Sequence, residues 1–288
     1  MYVNITSNVV NVIFNYFLIN GIGFFPRLEV KGAAIATVTG QIIAMILAVW
    51  FNHKKNRDVQ LSFKAFKPDG RIIAKIYEVG VPSIVMQSIV SIMTFGMNKI
   101  LIMFSETAVS VLGIYFKLQS FIFMPIFGLN NGVIPIVAYN YGAGHKRRIM
   151  DTIKLSTFIA VGIMLIGLII FQVFPEGLLK LFNASDHMLE VGVPALRIIS
   201  TSFLFAGYCI ILGSVFQALG NGVYSLIVSV ARQLLCILPL AYVFARVAGL
   251  HAVWYSFPLA ELISVTLTTI LFRRIYVKKL KNLKNDNN

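Results

Sequence analysis

Glu261 stands about twelve residues into an apolar run that begins near residue 250. An ionised carboxylate inside hydrocarbon costs kilocalories, so it must be paired, neutralised or wet. Two chemistries satisfy that demand. A carboxylate that alternates between protonated and ionised forms links proton movement to another event, whereas one locked to Arg232 in the preceding run is a static pair. Polar residues recur at helical spacing nearby. Ser83, Gln87, Ser91, Thr94 and Asn98 follow at steps of 4, 4, 3 and 4, Ser225, Ser229, Arg232 and Cys236 form a second row, and Glu261, Ser264 and Thr268 a third. Such spacing stacks each row along one helical face. Serine and threonine are ordinary interhelical hydrogen-bonding residues, but Gln87 and Asn98 are costlier to bury. Three rows on separate helices therefore predict a shared aqueous cleft, with Gln87, Ser91 and Asn98 among its lining.

The stretch from Phe123 to Gly144 carries Pro125, Pro135 and the Asn130-Asn131 pair inside a run long enough to cross a bilayer. Each proline removes a backbone donor that neighbouring helices or water must compensate. A lipid-facing anchor gains nothing from them, so this helix is expected to bend or to line a cavity. Tyr115, Gln119, Asn130, Tyr208 and Gln217 join the expected lining. Among the aromatics, Tyr115, Phe116, Phe121, Tyr139, Tyr208 and Phe216 lie near the polar rows and offer ring faces to a flat cation. Met86, Met93, Met97 and Met124 offer an adaptable wall, although gap-filling is their commoner role. Lys99 and Lys117 sit nearer span ends, where long cationic chains snorkel, and Lys117 lies close enough to Tyr115 and Gln119 to reach the cleft. Arg197 reads as an anchor in the first turns of its helix.

The elements holding these residues follow from composition. With 58% hydrophobic residues and 12% charged among 288, and a mean hydropathy of +0.81, the chain lacks the polar surface of a soluble globule. Runs of about the twenty apolar residues that span a bilayer fall near 4–20, 32–51, 79–103, 109–138, 154–174, 190–217, 223–245 and 250–272. The fold class is thus an all-α polytopic membrane protein of about eight transmembrane helices. Cys209 and Cys236 fall inside spans, as ordinary core thiols, so neither a disulfide nor a metal framework is expected.

The net charge of +14 is placed, not spread. Roughly 17 of the 25 lysines and arginines sit on alternate connections: Lys54 to Lys75, Lys146 to Lys154, and Arg273 to Lys284. The positive-inside rule puts those connections and both chain ends in the cytoplasm, with the protein multi-pass in the cell membrane. Contact with anionic headgroups accounts for such clusters, and nucleic acid is not an expected partner.

A loose internal repeat organises the spans. Val30-Lys-Gly-Ala-Ala-Ile-Ala-Thr-Val-Thr-Gly-Gln41 lines up with Leu250-His-Ala-Val-Trp-Tyr-Ser-Phe-Pro-Leu-Ala-Glu261, an offset of 220 residues. So long an offset marks a whole helical bundle as the repeating unit, and six spans per unit keep the halves parallel. The expected organisation is 1–51, the last two helices of a preceding bundle; 52–75, a cytoplasmic linker; 76–274, a complete six-helix bundle; and 275–288, a basic tail. On this reading the chain is truncated at its start.

The Phe123–Gly144 stretch with the following His145-Lys-Arg-Arg148 closely resembles the signature ending the eighth helix of multidrug and toxic compound extrusion (MATE) transporters. Gly80-Val-Pro-Ser83, Arg197-Ile-Ile199, Phe216-Gln-Ala-Leu-Gly220, Arg232-Gln233 and Phe257-Pro-Leu-Ala-Glu261 also look like MATE positions in order. The resemblance implies twelve helices in two bundles, of which these are the fifth to twelfth, and a monomer at full length. It further implies a cation-coupled antiporter that exports organic cations, drugs or related amphipathic compounds by alternating access. Some MATE branches place coupling acids on the seventh and tenth helices, where this chain has Gln87, Ser91 and Tyr208. Another places one on the first helix, outside this sequence. The coupling ion, H+ or Na+, stays open, with Glu261 and Arg232 as the candidates present, and no other cofactor is expected.

Two other classes compete. A flippase for a lipid-linked oligosaccharide or cell-wall precursor shares the two-half plan but wants clustered cations inside its cleft, and Arg232, Lys117 and Lys99 are scattered. A membrane-embedded enzyme is disfavoured because His53, His145, His187 and His251 lie in connections or at span ends. Paired carboxylates and metal-ligand spacing are missing within the spans as well.

Overall fold

The computed structural model describes residues 2–22, 26–55, 68–281 and 283. Arg57, Lys64, Lys67 and Lys284 of the basic clusters, most of the expected linker and much of the expected tail lie outside the described residues. Those described form helices and connections, without a strand among them. They divide into two compact units, one ending at Asp69 and the other beginning at Gly70.

The first unit is a helical hairpin of α1 (Tyr2–Asn20) and α2 (Glu29–Lys55). Small residues let the two backbones approach closely. A Cβ added at Gly32 would sit 2.7 Å from the Leu18 carbonyl oxygen, and one at Gly40 3.0 Å from that of Ser7. Ser7 Oγ donates to the Gly40 carbonyl at 2.9 Å, and Asn11 Nδ2 to Thr37 Oγ1 at 3.2 Å. This small-residue packing with polar bridges is how helices associate without a hydrophobic drive between them.

The second unit holds α3 (Gly70–Leu101), α4 (Glu106–Gly142), α5 (Lys146–Val173), the short α6 (Pro175–Lys180), α7 (Asp186–Ser200) and α8 (Phe203–Ala218). After α9 (Gly222–Val230) comes a π-helical segment, Ala231–Ile237, followed by α10 (Leu238–Val247) and α11 (Leu250–Val253). The last elements among the described residues are α12 (Ser256–Ile275) and a second π segment, Tyr276–Leu280. Six helices among the described residues are long and apolar enough to cross a bilayer, seven if α7 and α8 are one bent span. The sequence predicts about eight. The difference lies in α1, where Asn4, Asn8, Asn11, Asn15 and Asn20 dilute the apolar run. Helices also overrun the expected linker, with α2 reaching Lys55 and α3 starting at Gly70.

Local chemistry sets the ends. Ser105 caps α4 by accepting from Ala108 N at 3.1 Å, with Glu106 in the first turn favouring the helix dipole. Past its other end Gly144 takes φ +80°, a conformation that favours glycine. The break between α7 and α8 falls at Thr201-Ser202. Their hydroxyls bond back to the carbonyls of Ile198 and Ile199, both at 2.7 Å, and the pair of helices bends by 49°. Gln172 Nε2 from α5 takes up the Arg197 carbonyl at 2.7 Å.

Two buried clusters hold the second unit. One gathers Met97, Leu101, Leu112, Phe171, Phe203 and Trp254, and the other Val137, Ile149, Leu212, Phe216 and Leu271. Outside them the helices present large apolar side chains, among them Ile84, Phe95, Phe158 and Ile166. In water such a surface would aggregate; in a bilayer it is the solvated face.

Candidate functional site

A cavity of about 710 Å³ opens within the second unit, between α3, α4, α8, the first π segment and α12. From α3 come Met86, Gln87, Val90, Met93 and Thr94. From α4 come Tyr115, Phe116, Gln119, Ser120, Phe123, Met124 and Phe127, recurring at helical steps around Pro125. The helix runs unbroken through Pro125 and Pro135, and the first proline falls inside its cavity-lining stretch.

Opposite stand Arg232 and Gln233 of the π segment and Phe257 and Glu261 of α12. Arg232 Nη1 lies 3.3 Å from Glu261 Oε2, with the arginine side chain 28% exposed and the glutamate 6%. That separation is longer than a tight charge-assisted hydrogen bond, about 2.7–2.9 Å. The other oxygen, Glu261 Oε1, and Gln233 Oε1 are both buried without a hydrogen-bond partner. Two residues of the wall therefore each hold a buried, unsatisfied oxygen acceptor, which is costly in low dielectric unless something meets it. Tyr115 packs edge-on to the Phe257 ring at 6.0 Å, which fixes the aromatic part of the wall.

The π geometry has a sequence cause. Pro239 stands at the start of α10, where it offers no N–H to the Leu235 carbonyl and its ring crowds that oxygen. A wider turn relieves the clash, and such π turns concentrate at functional sites.

Of the expected lining, Gln87, Tyr115, Gln119, Arg232 and Glu261 meet at this cavity. Ser91 does not, because the face of α3 turned inward is that of Met86, Val90 and Met93, which leaves Ser91 exposed and Asn98 half-buried beyond the cavity. Asn130 is buried past the end of the α4 stretch, its Oδ1 without a partner. Tyr208 turns to α12, its hydroxyl 3.0 Å from Thr269 Oγ1, and Gln217 is half-buried outside the wall. Ser264 and Thr268 also leave the cleft for the core. Ser264 Oγ donates to Cys209 Sγ at 3.5 Å, and Thr268 is fully buried. Met86, Met93 and Met124 line the cavity whereas Met97 fills the core. Phe116 joins the wall, Phe121 and Tyr139 face outward, and Phe216 packs on Tyr224. Lys117 sends its ammonium over the Phe182 ring at 5.8 Å, and Lys99 over Phe95 at 5.7 Å. Arg232 is thus the only cation among the described residues of the wall, and it is ion-paired. Gln233, Ser202 and Phe257 are lining residues that no polar row pointed to.

A polytopic helical membrane protein with a paired carboxylate in the wall of a cavity is the class these observations define. The MatE family model matches residues 82–243, and the chain belongs to that family. It is 27% identical over 267 residues to the multidrug export protein MepA of Staphylococcus haemolyticus, an alignment covering 93% of this chain and 58% of the relative. To MepA of Staphylococcus saprophyticus it is 26% identical over 284 residues, 97% and 62% of the two chains. Among solved structures, a MOP superfamily transporter from Pyrococcus furiosus superposes with a TM-score of 0.86 at 23% identity, covering 98% of this chain and 63% of that one. An outward-facing multidrug resistance MATE family transporter gives 0.85 at 23%, covering 97% and 62%. At such identity these two speak for the fold. The chain spans about three-fifths of the length of the relatives it matches.

Proposed function

We propose that this chain is part of a secondary active transporter that exports organic cations, drugs or related amphipathic compounds by alternating access, driven by H+ or Na+. The observation that carries the reading is the Arg232–Glu261 pair in the wall of an aromatic and methionine-lined cavity. Phe116, Phe123, Phe127 and Phe257 offer ring faces to a flat cation, and Met86, Met93 and Met124 adapt to different outlines. The MepA relatives are named multidrug export proteins, which supports the export of drugs.

The residues fit a coupling cation. The Glu261 carboxylate can take up a proton, and its Oε1 and Gln233 Oε1, both buried without a partner, are oxygen donors of the kind that would hold a sodium ion. With Glu261 ionised, Arg232 is neutralised and the cavity accepts a cationic substrate. Neutralising Glu261 leaves the Arg232 charge uncompensated, and in a low dielectric it repels that substrate. Ion entry and substrate exit are then opposed at one carboxylate, as antiport requires. Both chain ends are cytoplasmic in this reading, residues 76–274 form one six-helix half in the cell membrane, and the full-length protein is monomeric with lipid as its surroundings. A flippase reading gains nothing from a wall whose single cation is already paired.

The test is binding of a fluorescent lipophilic cation to the purified protein in detergent. Binding that is reversed by added Na+ or by lowered pH, and that is weak in Glu261→Gln whatever the pH or Na+, is the expected result. Dye binding indifferent to both ions, or a preference for an anionic dye, overturns the proposal.

A further inference from the structure

A second cleft, of about 570 Å³, lies where α12 passes into the Tyr276–Leu280 π segment beside the start of α9. Four cations line it, Arg273, Arg274, Lys278 and Lys279, and no acid does so among the described residues. The two pairs stand five residues apart, and the chain widens there into a π turn, sealed by Lys281 N donating to the Tyr276 carbonyl at 2.7 Å, so that all four border one cleft.

The Tyr276–Leu280 segment is anchored. Lys279 Nζ donates to the Leu219 carbonyl at 2.7 Å and sits 5.8 Å over the Tyr141 ring, and Lys146 Nζ donates to the Lys281 carbonyl at 3.3 Å. The cations therefore border a shaped cleft instead of trailing from a tail. Beside them the lining turns apolar, with Ile270 and Val277 half exposed at the end of the Leu250–Leu280 span. Concentrated positive charge next to an exposed apolar lip at a membrane helix end matches one amphiphile, a phosphate on acyl chains.

We propose that this cleft binds the headgroup of an anionic phospholipid, with Arg273, Arg274 and Lys278 on the phosphate and the acyl chains against Ile270 and Val277. A free phosphate would use the charges but not the lip. The test offers the detergent-solubilised protein equal amounts of phosphatidylglycerol and phosphatidylcholine with identical chains and counts retained lipid by native mass spectrometry.

Retention of phosphatidylglycerol is expected to exceed that of phosphatidylcholine roughly tenfold, and the Arg273→Gln/Arg274→Gln/Lys278→Gln variant to lose that preference while holding phosphatidylcholine as before. Arg273→Lys/Arg274→Lys keeps the preference, as does Arg147→Gln/Arg148→Gln, which removes cations elsewhere on the same side. Lys279 is left in place because it holds the Leu219 carbonyl. A preference that survives in the triple variant overturns the site. An equal loss in Arg147→Gln/Arg148→Gln reduces the effect to diffuse surface charge and also overturns it. Millimolar inorganic phosphate is expected to leave the bound lipid in place, and displacement by it overturns the assignment to a lipid.

Discussion

Arg232 Nη1 meets Glu261 Oε2 at 3.3 Å in the wall of the cavity, joining a π turn to the second turn of α12. Removing one member of a buried ion pair strands the other in low dielectric, at a cost of up to about 3 kcal/mol for a pair whose arginine keeps some exposure. Glu261→Gln is therefore expected to lower the yield of folded protein, and Arg232→Met in the same chain to restore it. Ion-driven efflux by the complete transporter is expected to be lost in both, because the amide retains the shape of the carboxylate and cannot change charge. Near-normal efflux by a well-expressed Glu261→Gln protein refutes the coupling role.

Gly207 marks where α8 presses on α5. A Cβ there would lie 3.2 Å from both the carbonyl carbon and oxygen of Ala160 and 3.1 Å from Met164 Cγ. Backbone atoms cannot swing aside as a side-chain tip can. Gly207→Ala is expected to destabilise the protein by about 1–3 kcal/mol, read as a lower unfolding temperature in detergent. Gly213 on the same helix has only Ser225 Oγ near, at 4.0 Å. Gly213→Ala is expected to be neutral or slightly stabilising, since alanine is the better helix former; equal losses at the two sites contradict the close crossing.

Much of this architecture could be read from local pattern because bilayer-spanning runs and prolines announce themselves. The α4 stretch around Pro125 lines the cavity as its composition suggested, and Arg232 meets the one acid placed near midspan. Periodicity could say that Ser91 shares a row with Gln87, but not which edge of that row turns inward. Packing of Met93 and Met97 into the core decides that. Gln233, named only as a position resembling the family, stays out of the expected lining for a different reason. Its place in the wall depends on a π turn, and a reading at 3.6 residues per turn carries no allowance for an inserted residue. The Thr201-Ser202 break was likewise hidden, since both hydroxyls are compatible with a continuous span until they bond back to the preceding turn.

The topology proposed from charge asymmetry has a direct check. In a protein with Cys209 and Cys236 replaced, Lys146→Cys is expected to resist an impermeant thiol reagent added outside intact cells, whereas Glu176→Cys reacts. The two positions lie at opposite ends of α5 and its continuation into α6, so a single crossing separates them. Strong external labelling at 146 reverses the assignment of sides.

Pro239 is the residue on which the cavity geometry turns. By withholding an N–H from the Leu235 carbonyl and crowding it, the proline keeps Ala231–Ile237 in a π turn, and that turn presents Arg232 and Gln233 together. Pro239→Ala restores the donor, so the segment is expected to relax toward an α-helix. Taking out the extra residue per turn rotates what precedes it by about 100° relative to α10, which carries Arg232 away from Glu261. A double-mutant cycle between the two positions reads this directly. In the parent the coupling of a contacting charged pair is expected at roughly 1–3 kcal/mol, and in the Pro239→Ala background below about 0.5 kcal/mol. Binding of the lipophilic cation should weaken in parallel, and the unfolding temperature is expected to fall, because parting Arg232 from Glu261 leaves two largely buried charges unpaired. An undiminished coupling energy in that background means that the π turn is held by its packing and not by the proline.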